Sequence, residues 1–297
     1  MAPLMTGDLV PPGAVRGVAA FSTGRVQIHP QHAHGSRLPS LAWILLSPSW
    51  GSWRPIHVFV IEHDRGLVLF DAGQDLASLT DPDYYPASPL MRLIYRRLAR
   101  FEMGPPETVS VQLGALGYRA VDVRWVVLSH LHQDHIGGLR ELTGARFVVS
   151  TAEWQAMNAP NAEMAGFLPR HTDLPGATWD KVAFEATSDP TLAPFTFAHD
   201  LAGDGTLVLL PTPGHTVGSL SMLVRGRDVP LLLVGDMTYD VDGMRRGLIP
   251  GIGSRSTLHE TAGRVLELER RTGGLAILPA HDRGTAGRLV GAGGRVS

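Results

Sequence analysis

Six consecutive positions, His130 to His135 in "HLHQDH", hold three histidines and an aspartate, one serine after the apolar run "WVVL". Imidazole and carboxylate bind borderline divalent metals, so this crowding points to a metal centre. In an extended loop His130 and His132, two residues apart, fall on the same side. Asp134 and His135, at a turn into a helix, can point to a neighbouring position. One short loop can thus serve two adjacent ions. Gly137 and Gly138 follow, removing side-chain bulk where the backbone must pass close to the site.

The elements that must position this loop are mostly strands. Strand-like runs bounded by turns are "HVFVIEH" (57–63), "GLVLFDAG" (66–73), "WVVLSH", "ARFVVST", "GTLVLLPTPG", "SLSMLV", "PLLLVGD" and "LAILPAHD". Helical periodicity marks "PLMRLIYRRLARF" (89–101), "VSVQLGALG", "TAEWQAMN" and "LHETAGRVLELERR" (258–271). Several strands end in a ligand-type residue: Asp71, His130, His215, Asp236 and His281. The pattern predicts two sheets packed face to face with helices outside, and a site along one edge where strands hand over to loops. No repeat or linker divides the chain, so residues 1–297 are expected to form one domain. Residues 1–55 read as an N-terminal extension with an aromatic loop, and the glycine-rich tail 284–297 as flexible.

Composition narrows the chemistry. At 297 residues the chain can bury a core without staples, so a metal would be there for reaction. With no cysteine, disulfides, thiolate zinc sites and a thiol nucleophile are excluded. The net charge of -2 offers no basic field for nucleic acid or anionic membrane. "MAPLMTGDLVPPGAV" lacks the pattern of a secretory signal, and "LAWILL" (41–46) is too short to cross a bilayer. A soluble, cytoplasmic protein acting on a small molecule is the expectation. Trp43, Trp50 and Trp53 could form a pocket rim or the contact of a homodimer.

The combined motifs resemble the metallo-β-lactamase superfamily, whose signature His-x-His-x-Asp-His precedes separate His, Asp and His ligands. Here these are His215 in "PTPGHTVGS", Asp236 in "LLVGDMTY" and His281 in "ILPAHD", with Asp71 in "VLFDAG" at the place of an aspartate that supports the site from behind the ligands. The resemblance spans roughly residues 56 to 282. It implies an α/β fold, the four-layer αβ/βα sandwich of two mixed sheets. It also implies that His130, His132 and His215 hold one metal, Asp134, His135 and His281 the other, and that Asp236 bridges them. Zinc is the first choice for five histidines, with iron, manganese and cobalt open. Two ions about 3.5–4 Å apart activate a shared water and polarise a carbonyl, so the implied reaction is hydrolysis.

Tyr239, three positions after Asp236, bears on the substrate. The N-acyl homoserine lactonases of this superfamily carry such an Asp-x-x-Tyr element, which implies a metal-bridging hydroxide attacking the ring carbonyl, Tyr239 donating to the developing oxyanion, and Asp134 shuttling the proton. By the same resemblance Tyr84 and Tyr85, in the loop 74–88, and Met237 border the substrate pocket. The alternatives are a thioesterase resembling glyoxalase II, another ester or phosphodiester hydrolase, and a non-catalytic binding module, which the full ligand set disfavours. His29, His32 and His34 in "HPQHAHG" read as a solvated loop.

Overall fold

The computed structural model describes residues 14–297; the stretch 1–13, read above for a leader, lies outside the described residues. Fourteen strands are formed among the described residues: β1 Val15–Ile28, β2 Arg54–His63, β3 Gly66–Phe70, β4 Ala99–Glu102, β5 Val123–Val127, β6 Arg146–Ser150, β7 Thr178–Val182, β8 Glu185–Ala186, β9 Phe197–Asp200, β10 Leu207–Pro211, β11 Leu220–Val224, β12 Leu231–Gly235, β13 Ala276–Pro279 and β14 Arg295–Val296. They make an eight-stranded sheet, β14-β1-β2-β3-β5-β6-β7 with β4 against β1, and a six-stranded sheet, β13-β12-β11-β10-β9-β8. Both are mixed. β3, β5, β6 and β7 run parallel in the first, β12 and β13 in the second.

The "HVFVI" run shows why these residues make central strands. Val58 and Val60 face a core with Val109 and Leu113 of the Val109–Ala115 helix, while Phe59 and Ile61 face the opposite way, toward Leu209 and Leu233 of the second sheet. Successive side chains point to opposite faces, so a strand covered on both sides must be apolar at every position. On the far side of the second sheet, Val265 and Leu268 of the Arg255–Thr272 helix pack with Leu210, Leu232 and Ile277. Helix, sheet, sheet and helix form the four layers of the αβ/βα sandwich expected above.

The structure departs from the sequence reading in several places for physical reasons. β1 was not legible, because Ser22 to Arg25 interrupt its apolar pattern; the structure places a register shift there, with Gly24 at φ 93°. The helix expected to run to Phe101 stops at Leu98, and its last residues pair with β1 as β4. The tail is not a free end. Thr285–Gly291 is helical, Leu289 is buried between the sheets, and Arg295–Val296 pair with β1. "LAWILL" also folds, into the helix Ser40–Leu46 with Trp43 buried, which removes that tryptophan from any rim.

The histidine loop is held by a second turn. After β3, Asp71 adopts φ 64° and Gly73 φ 65°, and the turn docks against the end of the Gln133–Ile136 helix. Ala72 N–H donates to the His135 carbonyl (2.7 Å), Gly137 N–H to that of Gly73 (2.7 Å) and Gly138 N–H to that of Ala72 (2.9 Å). A Cβ on Gly137 would lie 2.1 Å from the Asp75 nitrogen, and one on Gly138 2.7 Å from the Ala72 oxygen. The double glycine is therefore required by the 71–75 turn. Gly137→Ala is expected to lower the unfolding free energy by about 1–3 kcal/mol or more, because backbone rather than a flexible side chain must yield; a urea denaturation midpoint unchanged from wild type would show that the turn adapts freely.

Candidate metal centre

The donor residues come from the ends of four strands. His130, His132, Asp134 and His135 follow β5, His215 lies in the loop after β10, Asp236 follows β12 and His281 follows β13. A hydrogen bond from Leu220 N–H to the Ser129 carbonyl (2.9 Å) joins the two sheets here, and one from His57 N–H to the Ala280 carbonyl (3.0 Å) closes the other flank.

Two groups result. His132 Nδ1 lies 3.0 Å from His130 Nε2 and 3.0 Å from His215 Nε2. His281 Nε2 lies 3.3 Å from Asp134 Oδ2, and His135 Nε2 lies 4.0 Å from Asp134 Oδ1. Asp236 stands between them: Oδ1 is 3.2 Å from both His135 and His281, and Oδ2 is 3.6 Å from His215. The donor atoms of His130, His132 and His215, and those of Asp134, His135 and His281, each lie within 4.8 Å of one another.

Hydrogen-bond logic tests whether these groups fit metal ions. His135 Nδ1 faces Asp71 (2.8 Å), His132 Nε2 faces the Ala165 carbonyl (3.0 Å) and His281 Nδ1 faces the Pro55 carbonyl (2.8 Å). Each acceptor fixes the proton on the outward nitrogen, leaving a lone pair pointing inward. The Ser129 hydroxyl donates to Asp71 (2.9 Å), so it accepts from His130 Nδ1–H (3.0 Å), and the inward nitrogen of His130 is also a lone pair. Lone pairs and carboxylate oxygens thus converge on the same two points. His135 Nε2, His281 Nε2 and Asp236 Oδ1 are buried without a hydrogen-bond partner. Divalent cations satisfy that arrangement, and the residues present fit them.

The electrostatics agree. Burial would raise the Asp236 carboxyl, but the facing His281 and His135 outweigh it and hold it well below the usual carboxylate range. Burial works against charge on His281 too, yet Asp236 and Asp134 push it up to about 9. Away from these carboxylates burial wins: His215 is pushed down to about 3, and His130 falls well below its ordinary value, driven by burial and then by the neighbouring imidazoles. The centre calls for positive charge beside Asp134 and Asp236 and neutral imidazole elsewhere.

Two supporting residues escaped the sequence reading. Buried Glu153 accepts from Leu131 N–H (2.9 Å), the Thr216 hydroxyl (2.7 Å) and Gly218 N–H (3.0 Å), tying the loop of His130 and His132 to that of His215. In the sequence it is only the third residue of a helix capped by Ser150. Arg54 donates to the carbonyls of Tyr239 (2.6 Å) and His281 (3.3 Å), joining the other two loops.

A cavity of about 60 Å³ opens on the centre, lined by His132, Asp134, His215, Asp236 and His281 and walled by Val26, Ile28, Tyr95, Leu98, Phe101 and Ile252. Tyr239 lies in this wall, its hydroxyl donating to Asp236 Oδ2 (2.6 Å). The expected Tyr84, Tyr85 and Met237 do not line it. Tyr84 is buried with its ring stacked 4.1 Å from that of His171, Tyr85 packs between Tyr84 and Tyr95, and Met237 belongs to the core beneath Val241. Tyr95, Leu98 and Phe101, on the elements after that loop, take the place expected of them. The solvated loop "HPQHAHG" is corrected too: Pro30–His34 is a short helix, His29 and His32 are buried, and His32 enters the cavity wall.

Comparison with known proteins is consistent with this geometry. The chain is 29% identical over 231 residues to the N-acyl homoserine lactonase AttM of Azorhizobium caulinodans, covering 77% of this chain and 82% of that one. It is 32% identical over 241 residues to the probable metallo-hydrolase Rv2300c of Mycobacterium tuberculosis, covering 76% and 74%. Among solved structures, an N-acyl homoserine lactone hydrolase with N-hexanoyl-L-homoserine at its catalytic metal centre superposes with a TM-score of 0.71 at 18% identity, over 91% of this chain and 94% of that one. The family model of the metallo-beta-lactamase superfamily matches residues 51–281, a span that begins before β2 and ends on His281 itself, and the chain belongs to that superfamily.

Proposed function

We propose that this chain is a metal-dependent lactonase that holds two divalent ions and opens N-acyl homoserine lactones. His130, His132 and His215 would hold one ion, Asp134, His135 and His281 the other, with Asp236 shared; the histidine-rich set favours zinc. When bound, two such ions supply an activated water at neutral pH and polarise the carbonyl it attacks.

The observation that carries the reading is the Tyr239 hydroxyl, 2.6 Å from Asp236 in the wall of a cavity whose other lining residues, outside the donors, include no lysine or arginine. Burial and the adjacent Asp236 push the phenol well above its ordinary value, so it stays protonated and keeps a proton to donate. A donor at that place meets charge developing on a ring carbonyl oxygen. Asp134 borders the same cavity and can carry a proton toward the leaving ring oxygen. The apolar wall suits an uncharged acyl group. A glutathione thioester or a phosphodiester would bring negative charge to a wall with no cationic side chain to receive it, which favours the lactone over both.

Stripping the protein with a chelator is expected to abolish turnover and lower the thermal midpoint, and two equivalents of zinc to restore both, since a ligand that binds only the folded state stabilises it. Turnover persisting in metal-free protein would sink the metal mechanism. Asp236→Ala is expected to lose activity together with bound metal. Tyr239→Phe is expected to keep its metal and lose about 10–1000-fold in kcat on N-hexanoyl homoserine lactone, followed by proton release. A Tyr239→Phe enzyme as fast as wild type would remove the phenol from the mechanism and leave the metal centre standing.

A further inference from the structure

His32 lies outside every metal-ligand motif, yet its Nε2 is 3.1 Å from the Tyr239 hydroxyl and its ring meets the phenol edge-on, with centroids 5.2 Å apart. It is held from both sides. The His32 carbonyl accepts from Gly251 N–H (2.8 Å), and the ring also lies 5.8 Å from that of the buried Trp43. His32 Nδ1 is buried with no hydrogen-bond partner.

The direction of each hydrogen bond follows from the acceptors. Asp236 Oδ2, 2.6 Å from the phenol oxygen, has no proton to give, so the phenol proton lies between those two oxygens. The phenol then presents only lone pairs to His32, and a neutral imidazole can meet it at 3.1 Å only with the proton on Nε2. The opposite tautomer would set two lone pairs against each other. Burial, only partly offset by Asp236, pushes His32 down to about 4, which keeps the ring neutral at ordinary pH.

We propose that His32 is a positioning residue for Tyr239: by donating from Nε2 to the phenol oxygen, it closes off one side of the hydroxyl and confines its proton to the side of Asp236 and the cavity. A phenol free to rotate would spend part of its time donating elsewhere. One donation into the oxygen also strengthens the donation out of it. The unpartnered Nδ1 is the cost of this arrangement, because packing alone would be served better by an apolar ring.

The geometry of the pair stands without any substrate, whereas its effect on rate rests on the lactonase reading, so the two are tested separately. Histidine-selective 15N NMR of the zinc-loaded protein reads the tautomer directly. The expected result is an Nε2-protonated His32 whose Nε2–H resonance moves in Tyr239→Phe. An Nδ1-protonated ring, or a resonance indifferent to that change, overturns the proposal whatever the enzyme hydrolyses.

Kinetics on N-hexanoyl homoserine lactone then test the consequence. His32→Phe is expected to keep bound zinc and thermal midpoint, to lower kcat about 10–100-fold and to leave KM within about threefold. His32→Gln, which retains a side-chain N–H donor, is expected to recover most of the loss. In a Tyr239→Phe background, His32→Phe should add less than about twofold, because the two act as one unit. A full additional loss in that background, an unchanged kcat in His32→Phe, or a loss accompanied by departed zinc each overturns the role. No lactone turnover by wild type, with the tautomer as stated, would discard the substrate and retain the pair.

Discussion

The centre depends on one constraint: the outward nitrogens of four imidazoles are already committed. Ser129, the Ala165 carbonyl, Asp71 and the Pro55 carbonyl engage His130, His132, His135 and His281 in turn. In the neutral form of each ring the inward nitrogen is thereby the lone pair, the one an arriving ion meets. Asp71 governs two of the four, receiving His135 directly and setting the Ser129 hydroxyl that fixes His130. The backbone accepts φ 64° at this aspartate, a conformation few side chains adopt, so that one carboxylate can serve both.

Such commitments are costly to assemble from loops. Burying a carboxylate without a partner costs several kcal/mol, and here Asp71 and Asp236 are buried with Asp134 half-buried beside them. The sandwich meets this by suspending each loop between rigid strand ends and cross-tying the loops away from the centre. Glu153 joins the first histidine loop to that of His215, and Arg54 joins the loop of Tyr239 to that of His281. Both are buried or half-buried, and neither touches the donor atoms. Their work is to stop the loops relaxing apart when like lone pairs face each other.

How much of this was legible follows from the range of each signal. Donor residues were readable because their types are rare in apolar strands and their spacing is local, and the central strands because burial on both faces leaves an uninterrupted apolar run. β1 was not, since glycine and polar residues at its bulge break the run while the partner strands that justify them lie far away in sequence. Tyr84 and Tyr85 were misplaced because an aromatic pair in a loop says nothing about which way the loop folds; here it folds onto His171. His32 was missed for the same reason. Three histidines among polar residues read as solvated until Trp43 and Tyr239 close over them.

The boundaries of the family match divide the molecule in a useful way. Every donor lies within residues 51–281, and so does Tyr239. Val26, Ile28 and His32, on one side of the cavity, come from β1 and the short helix after it, before the matched span begins. The matched sequence therefore speaks for the metal centre and for part of the wall, and the remaining wall belongs to a segment outside that match. Fold and centre can stay fixed while that segment changes what fits beside them. Here it brings two aliphatic side chains and one imidazole 3.1 Å from the phenol, so that on the function proposed above substrate selection and the orientation of the Tyr239 hydroxyl depend on the same stretch of chain. On that proposal, a change that reshapes this wall also disturbs the Tyr239 hydroxyl, and acyl-group preference is coupled to turnover rate through contacts that the donors of the centre do not share.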